Sequence, residues 1–96
     1  MKLHTAKYNF NGIEGTQYLF FCPACGNAHG PVVPRWSFNG DLEKPTFSPS
    51  ILAKVDDRVC HSYVTDGKIQ YLDDCSHNLR GQTIDLPDFD DIWKNT

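Results

Sequence analysis

Cys60-His61-Ser62-Tyr63-Val64-Thr65-Asp66-Gly67-Lys68-Ile69-Gln70-Tyr71-Leu72 is the stretch whose reading decides the fold. Apolar and aromatic residues alternate with polar ones on either side of Asp66-Gly67, a pair that accepts positive φ and closes a two-residue hairpin. With those two residues at the turn centre, Val64 falls opposite Ile69, Ser62 opposite Tyr71 and Cys60 opposite Asp73. Cys75 then lies diagonal to Cys60, on the same face and within about 7 to 8 Å by Cα. His61 faces the other way.

Working outward, the same grammar of strands and turns continues with almost no helical period. Tyr8-Asn9-Phe10 runs into Asn11-Gly12, a second hairpin signal, and Gln17 to Phe21 returns toward Cys22. Trp36-Ser37-Phe38 reads as a strand before the turn residues Asn39-Gly40-Asp41. Pro45-Thr46-Phe47-Ser48-Pro49-Ser50 is expected at an edge or in a loop, because proline lacks a ladder donor, with β pattern resuming from Ile51 to Val55. The fold class expected is mainly β: a single domain over residues 1–96 built of hairpins, with no repeat, linker or low-complexity tract.

Four cysteines and three histidines fall into three groups: Cys22-Pro23-Ala24-Cys25 with His29, then Cys60-His61, then Cys75-Ser76-His77. Zinc takes about four thiolate or imidazole ligands, and a two-residue spacer lets both sulfurs of one turn reach one ion. Cys22 to Gly26 has the form of a zinc knuckle, in which Gly26 lets the backbone amides curl toward the thiolates. Two other readings compete. A redox Cys-x-x-Cys normally opens a helix, which Gly26, His29, Gly30 and Pro31 do not favour, and a pair of disulfides is the plainest alternative. The hairpin register selects Cys22, Cys25, Cys60 and Cys75 as the expected zinc ligands and leaves His29, His61 and His77 as spare imidazoles.

A 96-residue chain buries a modest share of its surface, so a metal staple adds stability that a small core lacks. The net charge of −3, with no basic cluster, argues against nucleic acid. Met1-Lys2-Leu3-His4-Thr5 leads into polar residues without an apolar run, so neither a signal peptide nor a membrane span is expected. The expected compartment is the cytoplasm, where thiols stay reduced and metal is favoured over disulfide.

The string Phe21-Cys22-Pro23-Ala24-Cys25-Gly26, Trp36 to Asp41, Pro45 to Leu52, Cys60-His61-Ser62, Asp66 to Leu72, Asp74-Cys75-Ser76-His77 and Gly81-Gln82-Thr83 resembles a family of small proteins common in phages and prophages. Members of that family often carry a misleading ammonia monooxygenase label, and relatives sit in bacterial operons for ubiquitin-like conjugation. The match spans about residues 20 to 88. It implies a zinc-binding protein of the bacterial host cell and a peptidase acting on ubiquitin-like precursors. The oxidation label is set aside, because the chain lacks a copper-type histidine cluster.

Candidate nucleophiles for such a hydrolase are Ser48, Ser50 and Ser62, with Thr46 beside them, and His61 or His77 is the candidate base. The competing role for these hydroxyls is to close turns beside proline. A metal-activated water with Asp73 or Asp74 taking its proton is a second enzyme design. A nucleotide deaminase is disfavoured, since no His-x-Glu occurs in the chain. The non-enzyme alternative is an adaptor or inhibitor that binds a host protein, for which the acidic, aromatic tail Asp85 to Trp93 offers a docking surface. The expected partner is thus a protein or peptide in either case.

Overall fold

The computed structural model describes residues 1–89, and its elements are strands: β1 His4–Phe10, β2 Ile13–Cys22, β3 Asn27–His29, β4 Val32–Val33, β5 Ser37–Phe38, β6 Phe47–Val55, β7 Arg58–Thr65, β8 Lys68–Tyr71 and β9 Thr83–Asp85. The mainly β expectation holds. They form two antiparallel sheets. In the first, β2 carries β1, β3 and β4; the second is a meander in the order β5-β6-β7-β8-β9.

The β7–β8 hairpin has the register its sequence dictates, with Ser62 opposite Tyr71 and Val64 opposite Ile69. Asp66 and Gly67 sit at φ 52° and 77°, the mirror-image turn geometry that matches strand twist. Gly67 has a second constraint, since a Cβ there would come within 3.1 Å of the Lys44 Cα. Asn11 and Gly12 close β1 onto β2 in the same way, Phe10 pairing with Ile13.

Alternation sorts β7 into two sets. Cys60, Ser62 and Val64 are buried, while His61 is half-buried and Tyr63 and Thr65 are exposed. The buried set joins Leu3, Phe20, Cys22, Phe47, Ile51, Ile69, Tyr71, Cys75 and Leu86 in one core that draws on both sheets. Val64 and Ile69 are fully enclosed, and each such side chain contributes about 1.5–3 kcal/mol of burial free energy.

One expectation fails. The proline-rich segment is neither a loop nor a pure edge, because Phe47 and Ser48 pair with β5 on one side and Phe47 pairs with Val64 of β7 on the other. The physical reason lies in a register shift between Phe47 and Ile51, which places Pro49 at a bulge where no ladder donor is required. From Ile51 onward β6 pairs with β7 alone among the described residues, so the edge character returns there.

The start of the acidic tail folds back onto the domain. Leu86 and Phe89 are buried, the Phe89 ring stacks on His4 with centroids 5.5 Å apart, and Asp88 receives the N-terminal ammonium at 2.9 Å. Trp93 and its neighbours lie outside the described residues. Among the described residues no helix is long and apolar enough to cross a membrane.

Candidate active site and metal centre

The bulge that carries Pro49 delivers Ser50 to the outer face of the second sheet. Leu52 of β6 lies opposite His61 of β7, and Ser50 is two residues from Leu52, so Ser50 and His61 share that face. The Ser50 hydroxyl lies 2.8 Å from His61 Nε2. On the far side of the ring, His61 Nδ1 lies 2.9 Å from one Asp74 carboxylate oxygen and 3.2 Å from the other. A hydroxyl, an imidazole and a carboxylate therefore stand in one hydrogen-bonded row. The His61 ring is about one-quarter exposed and Asp74 more than half exposed, so the row opens to solvent.

Asp74 is held in place by a turn that follows β8. The Cys75 amide donates to the Leu72 carbonyl at 3.2 Å, and the Ser76 amide donates to the Val59 carbonyl at 2.9 Å. These two bonds fold the segment back along β7 and set Asp74 beside His61. A carboxylate at Nδ1 fixes the tautomer that leaves Nε2 free to accept the serine proton.

The other expected catalytic residues stand elsewhere. Ser62 is buried on the core face, with no partner for its hydroxyl among the described residues, away from the face that carries Ser50 and His61. Ser48 is an exposed strand residue paired with Ser37. Thr46 has the turn role, its hydroxyl accepting the Asp66 amide at 2.8 Å. His77 packs edge-on against Tyr71, with ring centroids 4.7 Å apart, and its Nδ1 accepts the Leu79 amide at 3.3 Å.

On the opposite face of β7, the knuckle comes to Cys60. Gly26 at φ 70° closes the turn, its amide donating to the Cys22 carbonyl at 2.9 Å. Cross-strand pairing of Phe20 with His29 then brings the histidine back beside the knuckle. Donor atoms of Cys22, Cys25, His29 and Cys60 all lie within 4.8 Å of one another, a group that can hold a metal ion. A second group, Cys60, Cys75 and His77, shares Cys60 with it. Cys75, expected as the fourth ligand beside the knuckle, lies in this second group with Cys60 and His77, and its sulfur hydrogen-bonds the His61 main chain.

The chemistry of the first group fits a thiolate-binding ion. Two sulfurs at ~2.3 Å from one tetrahedral ion stand roughly 3.8 Å apart. Cys22 and Cys60 Sγ are 3.8 Å apart, and all four cysteines are free thiols. His29 Nε2 is buried without a hydrogen-bond partner among the described residues. Cys22 is drawn down to about 3 by its hydrogen bond with Cys60, against the opposing effect of burial, with His29 and Tyr71 adding to the stabilisation of its thiolate. The same contact with Cys22, followed by burial, pushes Cys60 up, and burial pushes Cys25 up. The Tyr71 hydroxyl lies 3.2 Å from Cys22 Sγ and is itself raised by burial, so it stays protonated and donates.

The bacterial ubiquitination-like system serine protease family (BubE) matches residues 3–72, well over half of the chain. The chain belongs to this family. No curated protein and no solved structure matches it. The span matched to BubE includes Ser50, His61 and all four members of the larger group, Cys22, Cys25, His29 and Cys60; Asp74 and Cys75 lie just past its end. A serine protease family requires an activated hydroxyl, and among the described residues the Ser50 hydroxyl lies within hydrogen-bond reach of a histidine ring nitrogen.

In the sequence Asp74 reads only as a proton acceptor for a metal-bound water, with nothing to connect it to His61 beyond its position one residue before Cys75, across from the Cys60-His61 pair. His29 likewise reads as a spare imidazole in the sequence, since it lies four residues past Cys25 and only its cross-strand pairing with Phe20 returns it to the knuckle.

Proposed function

We propose that the protein is a serine peptidase in which Ser50 is the nucleophile, His61 the general base and Asp74 the group that orients the imidazole. The observation that carries this is the continuous row from Ser50 Oγ through His61 to Asp74, with contacts of 2.8 and 2.9 Å. In the acylation step the Ser50 oxygen bonds to the scissile carbonyl carbon while its proton passes to His61 Nε2. The imidazolium that forms is stabilised by the Asp74 carboxylate. His61 then gives the proton to the leaving amine as the carbon–nitrogen bond breaks. Water, deprotonated by the same nitrogen, releases the acyl group and restores the hydroxyl.

The family supports a substrate in a bacterial ubiquitination-like system: a ubiquitin-like precursor or conjugate. The metal in this proposal is zinc, held by Cys22, Cys25, Cys60 and His29, and its contribution is to fix the fold. The two functions meet at β7, where Cys60 faces the metal group and His61 faces the nucleophile. Incubating the protein with a panel of bacterial ubiquitin-like precursors and following their mass tests the proposal. Cleavage by the wild type that is lost in Ser50→Ala supports it, and uncut precursors across the panel favour a binding protein instead.

A further inference from the structure

In an antiparallel pair, residues alternate between those that bond each other and those whose amide and carbonyl point outward. The outward set on β7 is identified by its bonds. The His61 carbonyl accepts the Leu72 amide at 2.9 Å and the His61 amide meets Cys75 Sγ; the Val59 carbonyl accepts the Ser76 amide and the Val59 amide donates to Ser76 Oγ at 2.9 Å. His61 pairs with Leu52 and Val59 with Lys54, so Leu52 and Lys54 direct their own amides and carbonyls away from β7. On that side β5 pairs only with Phe47 and Ser48. The edge of β6 from Leu52 to Lys54 is therefore unpaired among the described residues, and both residues are exposed.

The open edge has a definite end. Trp36 Nε1 donates to the Ser50 carbonyl at 3.4 Å and so occupies the next outward position. A strand laid along β6 from Lys54 runs past Leu52 and is stopped by the indole beside Ser50. The path covers about four residues at ~3.3 Å each. It terminates at the nucleophile.

Resting on the peptidase assignment, we propose that the protein recognises its substrate by strand addition: an extended peptide segment pairs its main chain with Leu52 and Lys54, and Trp36 halts it so that the scissile carbonyl reaches Ser50. The substrate class is an unfolded, extended stretch of polypeptide, read by its main chain. A folded loop or a helix does not satisfy this edge. The exposed Leu52 side chain, on the face shared with Ser50 and His61, adds an apolar contact beside the reacting bond.

The test uses acetyl-Ala-Ala-Ala-Ala diphenyl phosphonate, its single-alanine counterpart, and a tetra-alanyl version N-methylated at each amide in turn. In each, Ser50 Oγ bonds to phosphorus and one phenoxide leaves, taking up the serine proton by way of His61. A simple alkyl fluorophosphonate reports whether Ser50 is activated at all. Strand addition predicts that the tetra-alanyl probe inactivates at least about tenfold faster than the single-alanine one, one main-chain hydrogen bond being worth roughly that factor. N-methylation at alternate amides should remove the gain. In the protein, Leu52→Pro should lose the same factor relative to Leu52→Ala, since only proline removes the outward amide, and an outward amide is not needed by the fold. Fluorophosphonate labelling of Ser50 combined with equal rates for long, short and N-methylated peptides overturns strand addition and leaves the peptidase intact. Failure of every probe to label Ser50 overturns both.

Discussion

Cys75 Sγ touches both ends of His61's own backbone: it accepts the His61 amide at 3.2 Å and donates to the His61 carbonyl at 3.1 Å. The residue before it is Asp74, so one thiol fixes the main chain of the base while its neighbour fixes the ring. Cys75→Ala should keep zinc bound and the protein folded but lower kcat by roughly 10- to 100-fold, the scale expected for a small misplacement of a catalytic group. Metal content and kcat measured on one preparation check this. Zinc loss from Cys75→Ala, with His29→Ala retaining it, would restore Cys75 as a ligand.

Asp74→Asn presents an amide in place of the carboxylate and disturbs the His61 tautomer. A buried triad aspartate is worth ~10⁴ in kcat. Asp74 is more exposed and more screened, so a fall of about 10² to 10³ is expected, with an unchanged melting temperature. His61→Ala should fall further. Steady-state kinetics on a cleaved precursor separates the two.

Zinc analysis should find about one ion per chain, and chelation should unfold it, because the binding energy of a structural site is folding energy in a small domain. Cys22→Ser and Cys60→Ser should not hold zinc. Tyr71→Phe removes only the hydroxyl at 3.2 Å from Cys22 and should weaken zinc affinity by ~10- to 100-fold while the ring keeps the core filled. Competition with a chromophoric chelator measures each.

Asp41 accepts the Lys44 amide at 3.0 Å and the Glu43 amide at 2.9 Å, and these bonds, the Lys44 one first, hold its carboxyl below the ordinary range. A depressed carboxyl stabilises the fold above its unfolded pKa of about 3.9 and loses that contribution as pH falls through the lower, folded value. Asp41→Asn should therefore lower stability somewhat at neutral pH, flatten the acid limb of the stability curve below about pH 4, and leave the most acid region nearly unchanged. Denaturant titrations at several pH values check the sign.

Much of this arrangement is legible in the sequence, for local reasons. Asp66-Gly67 sets a two-residue turn, the turn sets the register, and the register puts Cys60 in the core and His61 outside. The knuckle is legible because two cysteines and a glycine in one turn have few other uses. Pro49 misleads because a bulge removes the donor requirement that normally excludes proline between paired strands. Asp74 is hidden because its place depends on the Cys75–Leu72 and Ser76–Val59 bonds of an irregular turn, which period-two alternation does not predict. His29 is hidden for a similar reason: its return to the knuckle depends on a three-residue strand, β3.

The central claim is that His61 activates Ser50. Treating the zinc-loaded protein with an alkyl fluorophosphonate and mapping the adduct by peptide mass spectrometry tests it most directly. One adduct per chain on Ser50, absent in Ser50→Ala and slowed at least about 100-fold in His61→Ala, is the predicted result. A folded, zinc-loaded wild type that takes no label on Ser50, or takes it on another residue, would contradict the account.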